Sequence, residues 1–93
     1  MGTPLREIVG VRVASLRQRA NLSQGELAAK ADIARVTLNR IEGGHQAPSI
    51  EFLVALADAL GTTPNYLLGY AGNPERPKPR GKTQRLQPVA SAG

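Results

Sequence analysis

Arg35, Val36, Asn39 and Arg40 fall at spacings that place all four on one face of a helix, with Leu38 and Ile41 opposite and Thr37 flanking them. Side chains of these types have the donors, acceptors and methyls that could read base edges. An arginine fork can donate two hydrogen bonds to guanine O6 and N7, a valine methyl can meet the methyl of thymine, and an asparagine amide can pair with adenine or a phosphate. On an isolated amphipathic helix the same residues would be no more than solvated side chains, so the meaning of the row depends on what carries it. Other kinds of chemistry have little to work with. The chain has no cysteine and a single histidine, His45, which leaves a metal site without its usual ligands. No paired carboxylates and no glycine-rich phosphate loop stand out, so catalytic residues, a cofactor and a metal are all expected to be absent and the chain is not expected to be an enzyme. Three aromatics, Phe52, Tyr66 and Tyr70, do not make a base-stacking platform. Groove reading or backbone contact is what remains for a nucleic-acid partner.

The elements that must position the row follow from apolar spacing. A chain of 93 residues has room for one small domain. Leu5, Ile8, Val9, Leu16 and Ala20, with Val13 between, keep a helical rhythm after Thr3-Pro4, which predicts an N-cap followed by proline at the first helical position and a helix over about 4–20. Asn21 can end it in the left-handed conformation, and Ser23-Gln24-Gly25-Glu26 spells a capping box for a second helix over about 24–30. Ala31-Asp32-Ile33 makes a turn into a third helix over about 35–42, which stops at Gly43-Gly44. Pro48-Ser49 opens a fourth helix with Leu53, Leu56, Ala57 and Leu60 in one stripe before Gly61, and Thr63-Pro64 opens a short fifth over 64–68. No strand pattern occurs, so the fold class is all-α, a compact bundle of five short helices.

Two short helices joined by a tight turn inside such a bundle resemble a known arrangement. The run Leu22-Ser23-Gln24-Gly25-Glu26-Leu27-Ala28 through Thr37-Leu38-Asn39-Arg40-Ile41-Glu42-Gly43-Gly44 closely resembles the helix-turn-helix of the lambda-repressor and Cro-like family, also called the Xre family. Ala47-Pro48-Ser49, Leu56-Ala57-Asp58-Ala59-Leu60-Gly61 and the ending Tyr66-Leu67-Leu68 match the family's fourth and fifth helices, so the resemblance spans about residues 5–70. It implies a transcription regulator, with the helix over 35–42 in the major groove of double-stranded DNA and the helix over 24–30 lying across the backbone.

The resemblance also assigns roles. Arg35, Val36, Asn39 and Arg40 would face base edges, Arg35 and Arg40 foremost. Gln24 would meet a phosphate at a helix N-terminus, where free N–H groups and the helix dipole favour negative charge. Gly43, Gly44 and His45 resemble the segment that lies along the backbone, His45 serving as a phosphate contact or a solvated loop residue. The Thr37 hydroxyl either reaches a phosphate or packs against the second helix. Arg17 and Glu42 occupy positions where family members join the first helix to the end of the recognition helix by an ion pair, so their implied role is structural. Two positions depart from the family pattern: Ala34 stands where a capping serine or threonine is common, and Asp32 where glycine is common. The missing cap should weaken that helix start by about 1 kcal/mol.

The charge is divided unevenly along the chain. Residues 1–70 carry seven basic and six acidic side chains, and residues 71–93 carry five basic and one acidic, so most of the net charge of +5 lies in the last segment. With three prolines between Asn73 and Arg80, that segment reads as a flexible basic tail. Lys78-Pro79-Arg80-Gly81-Lys82 resembles the AT-hook, which would set Lys78, Arg80 and Lys82 in a minor groove, but Lys82 replaces its second arginine, and a solvated linker is the competing reading. A homodimer on a palindromic operator is expected, because one short helix reading one half-site gives little affinity. The end of the fifth helix could form that interface or simply close the core. The rival function is an antitoxin or protein-interaction module that binds a toxin and represses its own operon; contact with RNA polymerase is a further partner class. With no apolar run of membrane length and no signal peptide, a cytoplasmic, nucleoid-associated location is expected, with no membrane partner.

Overall fold

In the computed structural model, which describes residues 2–70 together with 72 and 74, five helices follow in order: α1 Leu5–Arg19, α2 Gln24–Ala31, α3 Arg35–Glu42, α4 Ile50–Leu60 and α5 Pro64–Leu67. No strand occurs among the described residues. Val9 and Val13 from α1, Leu27 and Ala28 from α2, Leu38 and Ile41 from α3, Leu56 and Ala57 from α4 and Leu67 from α5 meet in one core. Helix α1 packs against α3, α4 and α5, and α2 against α3 and α4, so every helix is held on more than one side.

Local chemistry sets most of the helix ends. Asn21 takes φ 59° between α1 and α2. The Ser23 hydroxyl accepts from the Glu26 backbone N–H at 3.0 Å while the Glu26 carboxylate accepts from the Ser23 N–H at 2.8 Å, completing the capping box. Asp32 closes α2 with φ 58°, a left-handed geometry that aspartate adopts more readily than most residues. Ala34 precedes α3 in an extended conformation and offers its N–H groups no side-chain acceptor. Ser49 caps α4 through the Phe52 N–H, Gly61 ends it at φ 70°, and Thr63 with Pro64 starts α5.

The start of α1 differs from the expectation. Pro4 is itself the N-cap, and its carbonyl accepts from the Glu7 and Ile8 N–H groups; no side chain caps this end, so Thr3 does not act as one. The apolar stripe is also narrower. Leu5 is 48% exposed and Ala20 is exposed, while Val9, Gly10 and Val13 form the buried face. Arg12 links α1 to α5: its Nη1 donates to the Tyr66 carbonyl at 3.1 Å and its guanidinium lies 4.3 Å from the Tyr66 ring centroid in a cation–π contact. Pro74 is half-buried, and its carbonyl accepts from the hydroxyl of Thr62, a residue 1% exposed, so the described chain stays on the body past residue 70.

Candidate nucleic-acid interface

Helix α3 has two sharply different faces. Leu38 and Ile41 are 0% exposed, whereas Arg35, Val36, Asn39 and Arg40 are exposed, with Val36 at 60%. Thr37 is half-buried between them. A valine so open to water costs free energy unless something covers it, roughly 25 cal/mol for each Å² of apolar surface left in solvent. Gln24, Arg35, Val36 and Asn39 line a shallow notch of about 270 Å³, with the valine methyls beside amide and guanidinium donors.

The angle of α3 is fixed from behind. Arg17 on α1 donates to Glu42 through Nε at 2.7 Å and Nη2 at 3.0 Å, and its Nη1 donates to the Leu22 carbonyl at 2.8 Å. The two side chains of this pair are only 14% and 6% exposed, so each relies on the other for solvation. The hydrogen bond that Arg17 donates to Glu42 raises the Arg17 pKa above its ordinary value, burial opposes this, and the charge of Glu42 adds to the rise. A raised arginine pKa contributes stability that is present below the unfolded value and lost only as pH rises through the folded one, so the guanidinium keeps its charge through the ordinary pH range.

Gly10 is the second brace, and it escapes notice in the sequence. A Cβ built there would lie 2.4 Å from the Ile41 carbonyl oxygen and 2.8 Å from that of Glu42, so α1 reaches the end of α3 only because position 10 lacks a side chain. A glycine in mid-helix surrounded by valines is the one signal that could have revealed it.

Gln24 lies against α3: its Nε2 donates to Glu42 Oε1 at 3.1 Å and its Oε1 accepts from Asn39 Nδ2 at 3.3 Å, which uses one of its two amide N–H groups. The backbone N–H groups at the start of α2 remain beside it. Gly43, Gly44 and His45 follow α3 as a loop: the His45 N–H donates to the Arg40 carbonyl at 2.9 Å, and its ring lies against Gly43, where a Cβ would come within 2.9 Å. Gly44 adopts φ 78°, and its carbonyl accepts from Arg6 Nε at 3.1 Å. Arg6 thus secures this loop from α1, a role that no local sequence signal indicates. Lys78, Arg80 and Lys82 lie outside the described residues. Among the described residues no group of three His, Cys, Asp or Glu could hold a metal, and no helix is long and apolar enough to cross a membrane.

Five helices with this α2–turn–α3 pair define a lambda-repressor-like helix-turn-helix domain. The helix-turn-helix family matches residues 13–67, and the chain belongs to that family, in its Xre, lambda-repressor-like form. It is 38% identical over 61 residues to an immunity repressor protein of Bacillus phage phi105, a match covering 66% of this chain and 42% of the phage protein, so the chain spans less than half of that relative. Among solved structures it is similar to the P22 c2 repressor in complex with a synthetic operator, at TM-score 0.66 and 29% identity, covering 74% of this chain and 100% of that one. It is also similar to SinR, described as the master regulator for biofilm formation, in complex with DNA, at TM-score 0.62 and 36% identity over 64% of this chain and 97% of that one.

Proposed function

We propose that the chain is a transcription regulator of the repressor type that reads double-stranded DNA with α3 in the major groove. Arg35, Val36, Asn39 and Arg40 meet base edges, while the backbone N–H groups at Gln24, the Thr37 hydroxyl, and Gly43, Gly44 and His45 meet flanking phosphates. One observation carries this reading: the four exposed recognition side chains occupy one face of a helix whose other face is sealed by Leu38 and Ile41 and whose end is held by Arg17 and Glu42. A merely solvated helix has no need of so firm a mount. That the P22 repressor and SinR are each in complex with DNA supports the same reading.

The protein acts as a homodimer on a palindromic site. In support, a mostly apolar groove of about 320 Å³ runs between α1, α4 and the end of α5, lined by Leu5, Val9, Pro48, Ile50, Leu53 and Leu68 beside Arg6. Ile50 is 78% exposed on its rim, a cost that a second copy would remove. Leu67 is 0% exposed, so of the cluster at the end of α5 that residue serves the core.

Selection of bound sequences from random duplex DNA, followed by titration at several salt concentrations, tests the proposal. A recovered inverted repeat is the expected outcome. No enrichment over random DNA would contradict it.

A further inference from the structure

Hydrogen-bond donors converge on Glu42 from α1 on one side and from the exposed face of α3, through Gln24, on the other. Arg17 can only donate, and it donates to Glu42. The Glu42 carboxylate can only accept, so the Gln24 amide must turn its Nε2 toward Glu42, at 3.1 Å, and its Oε1 therefore points toward α3. That oxygen accepts from Asn39 Nδ2 at 3.3 Å, which fixes the Asn39 amide in turn. The arrangement is not interchangeable: rotating either amide by half a turn would set oxygen against oxygen or donor against donor.

This polarity decides what Asn39 can present to DNA. One Nδ2–H is used inward, leaving Oδ1 as an acceptor and the second Nδ2–H as a donor. Adenine offers the matching pair in the major groove, a donor at N6 and an acceptor at N7; guanine offers two acceptors, thymine one acceptor and cytosine one donor. Resting on the DNA-reading function above, we propose that the Glu42–Gln24 pair orients Asn39 as an adenine reader, with Gln24 a positioning residue that sets base specificity from behind the interface.

Replacing Gln24 by lysine makes a decisive variant. An ammonium can still donate to Glu42, but it can only donate toward Asn39 as well, so Asn39 must turn its Oδ1 inward and present two donors outward. Two donors match guanine O6 and N7. Gln24→Met keeps the stem of the side chain and removes all polarity, which leaves Asn39 free to rotate.

The test is competition binding of the full chain to four duplexes that differ only at the base pair where Asn39→Ala abolishes preference, with thermal melts confirming that each variant is folded. Wild type should prefer adenine by at least about fivefold, Gln24→Met should flatten that preference, and Gln24→Lys should move it to guanine. If both Gln24 variants keep the wild-type ranking, or weaken all four duplexes equally as a lost phosphate contact would, the inference is overturned while DNA reading stands. A wild-type chain that ranks no duplex sequence above another overturns both.

Discussion

Gln24 Nε2 donates to Glu42 Oε1 across 3.1 Å, joining the first residue of α2 to the last residue of α3. Because Arg17 of α1 holds the same carboxylate, three helices meet at one side chain. The crossing of the helix pair therefore rests on a polar junction as well as on the apolar contacts of Leu38 and Ile41 beneath it.

Glu42→Ala should cost about 3 kcal/mol, since it leaves the Arg17 guanidinium, itself mostly buried, without its counter-charge. In a domain of this size that lowers Tm by about 12–24 °C. Thermal unfolding followed by circular dichroism measures it, and an unchanged Tm would show that the junction is not structural.

Gly10→Ala separates a packing role from a helix-propensity role. In an open helix the substitution would stabilise by up to about 1 kcal/mol, but here the new methyl meets two carbonyl oxygens of α3, and overpacking should cost about 2 kcal/mol net. A fall in Tm of about 8–16 °C, with weaker DNA binding, is expected. A rise would mean that α1 and α3 do not approach so closely.

Arg35→Ala and Arg40→Ala should leave stability within about 0.5 kcal/mol, because both side chains are exposed. Each should nevertheless reduce specific affinity by about 1–3 kcal/mol and relax the base preference at one position. Equal losses on specific and random duplexes would reassign them to the phosphate backbone.

Ala34→Ser should stabilise the protein by about 1 kcal/mol. Position 34 already has the extended geometry of an N-cap, φ −64° and ψ 140°, and lacks only an acceptor for the N–H groups of α3. Denaturant titration should show a higher midpoint with an unchanged slope.

Truncation after Pro74 removes five basic and one acidic residue while keeping the contact with Thr62. The salt dependence of DNA binding should become shallower, by about 0.9 in log–log slope for each phosphate no longer neutralised. An identical slope would exclude the tail from the interface.

What the sequence shows most plainly is what neighbours along the chain decide. The Ser23 and Glu26 capping box, the left-handed Asn21 and Asp32, and the Thr63-Pro64 helix start each depend on a few consecutive residues, and each takes the form its residue types favour. The two faces of α3 likewise follow from helical period alone. Contacts between distant segments leave no such trace. Gly10 against the end of α3, Arg6 on the Gly44 carbonyl and Arg12 over Tyr66 depend on how α1 lies across the bundle, which no local pattern records. Gln24 shows the same limit at the site itself: its place at a helix start is local, but its inward turn is set by a carboxylate 18 residues away.

The most direct test of the account maps amide chemical shifts of the full chain as a selected duplex is added. The largest changes should fall at Gln24, at Arg35, Val36, Asn39 and Arg40, and through Gly43, Gly44 and His45. Largest changes at Leu5, Ile50 and Leu68, with the α3 face unmoved, would contradict the claim that this face meets DNA.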